Sequence, residues 1–429
     1  MLKRKDINRF LNLVHFLRSP WIIGVLFVLV NIIIGLVVIP KFGYDTADNI
    51  TWQLASAYQF PPKGSYSPLP SLLVQFWQTL FGTGSTSAFF FHFILFGFSF
   101  VLIWSVSTKM FENTHVGVFS LYLVIFSPYL IWSIYIGRDV ALDVFGVSLM
   151  MFFASRIYYS GHARYIIGFA LSGALATSLR ETNLVVFLSL LGFLGFKHSL
   201  NVRRFLLTSG VFILSISPLL IWNYTGTGTI VLSTRLGINM YYGNHPYYLE
   251  GHPRYDIDGF VSKRVIHDYG NEFMTTLNRT ERNQAYKQLA IKDIIMRPME
   301  TIYRMLLKGF WWVGPTRVPG SDMESYLQPD EDVIVLVGGQ SVVKELLYVI
   351  HRVIVLVAVV YYWKYTHFSI GRAVFLLLPT LAMTPVAMLT FPDTRFRLAF
   401  DPYMYILAAA GLVKLKDHLM KISKQNIGD

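Results

Sequence analysis

Ten apolar stretches, each close to the length of a bilayer crossing, dominate the chain. They lie near residues 21–40, 87–107, 115–136, 139–157, 165–180, 182–196, 205–222, 345–363, 373–391 and 398–413. A helix needs about 20 apolar residues to cross the hydrocarbon core, so ten crossings use nearly half of the 429 residues. Long, continuous apolar runs are helical rather than alternating, and helices satisfy their own backbone polar groups in lipid. The expected fold is therefore all-α, a single polytopic unit over 1–429 with about ten spans. Charge agrees: 14% of residues are charged, against roughly 25% in soluble domains. Soluble enzymes, secreted disulfide scaffolds and free nucleic-acid binders are thereby excluded. The stretch 21–40 is too long for a signal-peptide core and no A-x-A-like site follows, so it reads as a retained first span.

Charge placement sets the orientation. With the N-terminus inside, the segments on that side carry seventeen Lys and Arg, and the short segments opposite carry six. Basic residues collect on cytoplasmic loops, so both termini are expected in the cytoplasm. The net charge of +12 is then mostly topological and calls for no nucleic acid. Two outer segments, 41–86 and 223–344, are too long to be connectors. Within the second, Arg279–Lys308 reads as one or more amphipathic helices, broken at Arg297–Pro298 and closed by Phe310-Trp311-Trp312. That pattern suits helices at a membrane interface. Function is expected at this outer face, where the long loops meet the span ends.

Several charged residues there could carry chemistry. Asp45 and Asp48 are spaced i, i+3 directly after the first span. They either cap a helix and face solvent, or supply a general base for an acceptor hydroxyl or amine; the pair could also hold a hard divalent ion. Asp139 follows Arg138 at a tight outer turn, with Asp143 one helical turn on. An acid inside a span has to face the protein interior and be paired or wet. Arg180 interrupts an apolar stretch beside Glu181, Lys308 precedes the Trp pair, and Arg395 and Arg397 share the last short outer loop. His351 and Arg352 open the eighth span. Arginine grips phosphate oxygens in pairs, and positive charge stabilises a departing phosphate. The same cations could instead snorkel or form internal ion pairs, such as Arg180 with Glu181. There is no cysteine, no H-x-x-x-H or H-E-x-x-H spacing and no Walker A loop, so thiolate, zinc and nucleotide chemistry lack support. Sequons stand at Asn49, Asn223 and Asn278.

Four segments carry a likeness. The first is Asp45 after a span, followed by Tyr66-Ser67-Pro68-Leu69-Pro70-Ser71-Leu72-Leu73. The second is Arg138-Asp139 at the fourth span. The third is Leu236 to Pro246 with its Gly243-Asn244-His245-Pro246 turn, reaching Gly251, with Glu281-Arg282, Ala290, Pro298 and Lys308 after it. The fourth is Arg395-Phe396-Arg397-Leu398 with Pro402 and Ala408-Ala409-Ala410-Gly411. In this order the chain resembles the polytopic glycosyltransferases of the C superfamily, in the branch of protein O-mannosyltransferases and the lipid A aminoarabinose transferase. The resemblance implies a bacterial or archaeal plasma-membrane enzyme. It would move a sugar from a polyprenyl-phosphate donor to an extracytoplasmic lipid, polysaccharide or protein acceptor, among membrane lipids. It also implies Asp45 as base in a single inverting displacement, with Asp48 as second candidate, because the family's Asp-Glu pair is Asp45-Thr46 here. Asp139 would orient the base or the acceptor. Arg138, Arg180, Lys308 and Arg395 would lie on the phosphate side, with Lys63 offset from the family's usual basic position. A secondary transporter or flippase, or a ligase acting on a diphosphate-linked oligosaccharide, is the alternative.

Overall fold

The computed structural model describes residues 67–82, 85–128, 130, 140–197, 199–233, 235–246, 248–251, 277, 279–315, 326–327, 334–335, 342–365 and 370–427, with five positions between 22 and 29. Its elements are α1 (Leu69–Phe81), α2 (Ser85–Phe111), α3 (Thr114–Ile125), α4 (Val140–Ser160), α5 (Ala163–Leu179), α6 (Asn183–Phe196) and α7 (Val202–Thr227). They continue with α8 (Leu236–Asn244), α9 (Tyr248–Gly251), α10 (Arg279–Met296), α11 (Pro298–Val313), α12 (Val342–Tyr365), α13 (Ile370–Leu389), α14 (Thr394–Leu398) and α15 (Asp401–Ile427). Among the described residues, a two-residue antiparallel pairing, Tyr326–Leu327 with Ile334–Val335, is the one exception to α-helix as regular structure.

Capping follows local chemistry. Pro70 sits in the first turn of α1, where its missing N–H costs nothing. Asn113 and Asn201 accept from backbone N–H groups of His115 and Arg204 to open α3 and α7. Arg297 breaks the long amphipathic stretch and Pro298 starts α11, as expected from the sequence. Pro379 and Pro385 lie inside α13, where each removes one helical hydrogen bond.

Among the described residues, five helices are long and apolar enough to cross a bilayer: the Phe90–Phe111 stretch of α2, α4, α7, the Leu346–Tyr365 stretch of α12, and α13. The described residues do not confirm the count of ten. α3, α5 and α6 are apolar but only 12, 17 and 14 residues long; at 1.5 Å per residue they fall short of a roughly 30 Å core. The run 398–413 lies in α15, which opens on Asp401 and continues into Lys414, Lys416 and Asp417. The stretch 21–40 lies mostly outside the described residues.

The core forms around α4 and α15. α4 packs on α5 and α2, and α15 on α12 and α3. Tyr403 to Ala410 of α15 is buried throughout. At Gly411 a Cβ would stand 2.1 Å from the Ala358 carbonyl oxygen, so only glycine lets α12 and α15 approach this closely. The turns α2–α3, α4–α5, α6–α7 and α12–α13 gather at one end: Arg372 Nη1 and Tyr159 Oη both donate to the Met110 carbonyl. At the other end α8, α10, α11 and the stretch between α13 and α15 come together.

α11 is amphipathic in an inverted sense. Thr301, Arg304, Lys308 and Trp312 are buried, while Met299, Ile302, Tyr303, Leu306 and Phe310 are exposed. Polar groups face protein and apolar ones face out, the arrangement of a helix whose surroundings are lipid.

Candidate functional site

The short stretch from Thr390 to Phe400, between α13 and α15, organises this second end of the bundle. Asp393 caps α14 by accepting from the Arg395 backbone N–H at 2.8 Å, and its other oxygen accepts from Arg395 Nε at 2.6 Å. The cap therefore fixes both the helix start and the direction of the Arg395 side chain.

Arg180 ends α5 with an extended backbone, φ −149°, which turns its side chain back into the bundle. Its Nε lies 3.0 Å from Asp143 Oδ2. Asn183 Nδ2 donates to the other Asp143 oxygen at 2.7 Å and to the Ala176 carbonyl at 3.0 Å. The Arg180 guanidinium carbon lies 4.8 Å from the centre of the Phe396 ring, and that of Arg395 lies 5.5 Å from the same centre. Two arginines from opposite halves of the sequence thus share one aromatic ring, within about 10 Å of each other, where ring faces attract cations.

Beside them is a clamp. Lys308 is fully buried, and its Nζ donates to the carbonyls of Gly243 at 2.8 Å and Thr390 at 2.9 Å. The Tyr248 ring lies 5.2 Å from the same nitrogen. Asn244 Nδ2 donates to Leu389 O at 2.8 Å. A Cβ on Gly243 would lie 1.6 Å from Thr390 O, so the Gly-Asn turn docks α8 against the end of α13 by backbone contact. Burial pushes the Lys308 ammonium down to about 7, and Arg304 adds to the effect; a neutral amine still carries the two donors that the carbonyls need. Arg304, also buried, bonds Asp293 at 2.7 Å and the His245 carbonyl at 2.9 Å.

A third cluster ties α11, α12 and α15. Arg352 donates to Asp401 at 2.9 Å and to the Val313 carbonyl, and Arg397 bonds Asp401, Trp312 O and Tyr348 Oη. His351 lies 2.9 Å from the Leu123 carbonyl. All of this cluster's side chains are buried, so it is a fastening between helices.

The structure therefore sorts the expected residues. Asp45, Asp48, Lys63, Arg138 and Asp139 lie outside the described residues. Arg180 and Arg395 are brought together, and Asp143 faces the interior as its place in a span demands. Lys308, expected on the phosphate side, is closed off from solvent with its Nζ donating to two carbonyls. Arg180 pairs with Asp143, not with its neighbour Glu181. Asn223 is buried and bonded to Val231 and Leu232 carbonyls, which removes it as a glycosylation acceptor. Asp393, Phe396, Asn183 and Asp401 were missed; Asp401 carried a signal, since an acid at the start of an apolar run needs a buried partner.

Residues 65–222, a little over a third of the chain, match the family model for dolichyl-phosphate-mannose-protein mannosyltransferase. The matched stretch includes Asp143, Arg180 and Asn183, and over it the resemblance to the glycosyltransferase C superfamily is borne out. Among solved structures, the Archaeoglobus fulgidus oligosaccharyltransferase in its apo form aligns with a TM-score of 0.49 and 12% identity, over 94% of this chain and 52% of that one. The chain thus spans about half the length of that protein. No curated protein sequence matches.

Proposed function

We propose that the chain is a membrane glycosyltransferase that moves a sugar from a polyprenyl-phosphate donor to an extracytoplasmic acceptor. The observation that carries the reading is the Arg180–Phe396–Arg395 grouping, which joins a residue of the mannosyltransferase-like stretch to the last outer loop. Two guanidinium groups close together suit a phosphate: each offers paired N–H donors, and their charge stabilises the dianion that leaves. Asp143 and Asn183 hold Arg180 in place from behind, so little reorganisation is needed when the charge develops.

In the proposed reaction Asp45, or Asp48, takes the proton of the acceptor hydroxyl as its oxygen attacks the anomeric carbon. The carbon–oxygen bond to phosphate breaks from the opposite face, its electron pair stays on the phosphate, and configuration inverts. Arg138 and Asp139, which immediately precede α4 in sequence, are proposed for the phosphate and for orienting the acceptor, and Lys63 for the phosphate. Lys308 is proposed as a positioning residue that holds the outer segment against Thr390. The site is proposed to face the extracytoplasmic side, with both termini opposite.

The test is transfer of radiolabelled sugar from a polyprenyl phosphate by the purified chain in vesicles, with mass spectrometry of surface glycans from cells with and without it. Loss of turnover in Asp45→Asn or in the Asp45→Asn/Asp48→Asn pair supports the base. Near-wild-type turnover in the pair removes it.

A further inference from the structure

The two ends of the bundle treat their charges in opposite ways. Around Thr390–Phe400, arginines are matched with acids: Arg180 with Asp143, Arg304 with Asp293, Arg352 with Asp401, Arg395 with Asp393. At the end formed by the α4–α5 and α6–α7 turns, Arg164, Lys197, Arg203 and Arg204 are all exposed, and among the described residues none of these four has a carboxylate within ion-pair distance.

The two turns that carry these four residues meet. The Arg204 guanidinium and the Ser199 carbonyl both lie against Gly161, which joins the two turns. Lys197 and the Tyr158 hydroxyl both lie beside Gly371 at the start of α13, and Arg372 reaches the end of α2 at Met110. Aromatic rings back the rim: Arg164 stands 4.8 Å from the Tyr165 ring centre and Lys109 5.0 Å from that of Tyr159. Exposed apolar groups begin directly beside the charges. Phe196 is 84% exposed, Val202 77% and Leu206 64%. A surface that changes within one helical turn from unpaired cations to bare hydrocarbon, with tyrosines between, has the profile of a lipid leaflet in cross-section.

We propose that the α4–α5 and α6–α7 turns form a binding surface for anionic phospholipid headgroups. Arg164, Lys197, Arg203 and Arg204 would grip phosphates while Phe196, Val202 and Leu206 contact the upper acyl chains. Charge complementarity selects this occupant: the cations lack acids of their own, and the adjoining hydrocarbon suits the rest of the same molecule. A free polyanion would satisfy the charges and leave the apolar rim in water. The proposal stands apart from the glycosyltransferase reading, since it concerns the opposite end of the bundle.

The test uses the full chain in nanodiscs of equal phosphatidylethanolamine and phosphatidylglycerol, stripped stepwise with detergent, with retained lipid counted by native mass spectrometry. The wild type is expected to keep phosphatidylglycerol in preference, and to lose that preference as salt is raised. Arg164→Gln/Lys197→Gln/Arg203→Gln/Arg204→Gln is expected to reduce the preference at least about tenfold. The all-lysine version of the three arginines keeps it, which separates charge from folding. Lys287→Gln/Lys292→Gln, exposed charges on α10, also keeps it. The idea is overturned by equal retention of the two lipids in the wild type, or by an equal loss in the α10 variant. Tight binding of an oligonucleotide or an acidic peptide with no lipid preference likewise overturns it.

Discussion

Asp143 meets Arg180 at 3.0 Å with 3% and 9% of their side chains exposed, so each is the other's main relief from the cost of a buried charge. The pair crosses from the first turn of α4 to the end of α5 and sets where the guanidinium can point. Phe396 receives it on the far side of the interface. A single carboxylate therefore links the packing of two helices to the aim of a proposed phosphate-binding group.

Removing that carboxylate should cost stability before anything else. Asp143→Asn keeps the shape and removes a buried carboxylate from beside the Arg180 guanidinium; losses of about 3–5 kcal/mol are usual when one partner of a buried pair is removed. Thermal unfolding in detergent measures it. Asp143→Glu restores the charge and should recover part of the loss.

Donor binding should depend on both arginines. Arg180→Gln and Arg395→Gln are each expected to lower kcat/KM for a polyprenyl-phosphate sugar at least about tenfold, the scale of a hydrogen bond to a charged group. Phe396→Leu removes the shared ring and should cost a few-fold, in line with about 0.5–1 kcal/mol per exposed cation–ring contact. Unchanged kinetics in both Gln variants would count against the phosphate role.

Gly243→Ala should separate α8 from the end of α13, because its Cβ has no space beside the Thr390 carbonyl. Loss of about 3 kcal/mol or more, or failure to fold, is expected from overpacking against backbone. Gly192→Ala, where a Cβ meets nothing within 4 Å, is the neutral control. Unfolding midpoints of the two variants compare directly.

Lys308 predicts a rise of stability with pH. Its folded value is lowered to about 7 from an ordinary 10.5, so between these values the unfolded chain binds more protons than the folded one. Stability then climbs as pH rises through that window and is lowest, for this group, below pH 7. Relative to Lys308→Met, the wild type should gain up to about 4 kcal/mol between pH 7 and 10. The two carbonyls favour the ammonium and reduce the gain. Paired pH titrations of thermal stability measure the slope, and a flat difference would place the Lys308 value near normal.

What the sequence made legible were features set by neighbours along the chain. Apolar runs located the helices, Pro298 located the break before α11, and the intolerance of lipid for charge put Asp143 inside. The misreadings came from contacts across the chain. Arg180 has Glu181 beside it in sequence, yet it closes α5 in an extended conformation that turns its side chain into the bundle, where its partner Asp143 is on α4. Nothing local to Lys308 shows that Gly243 and Thr390 will bring two carbonyls to its tip. Five of the ten expected spans stand among the described helices; α5 and α6 are apolar but shorter, and α15 joins core residues to a charged tail.

The clamp decides which parts can part company. Lys308, Asn244 and Arg397 rivet α8 and α11 to the end of α13 and the chain that follows it, and Arg352 rivets α12 to α11, all through backbone carbonyls, bonds that stretch little before they fail. Arg180 and Phe396, by contrast, touch face to guanidinium, a contact that tolerates sliding without rupture. On the proposed reading, a bulky prenol would enter along that seam and not through the riveted contacts.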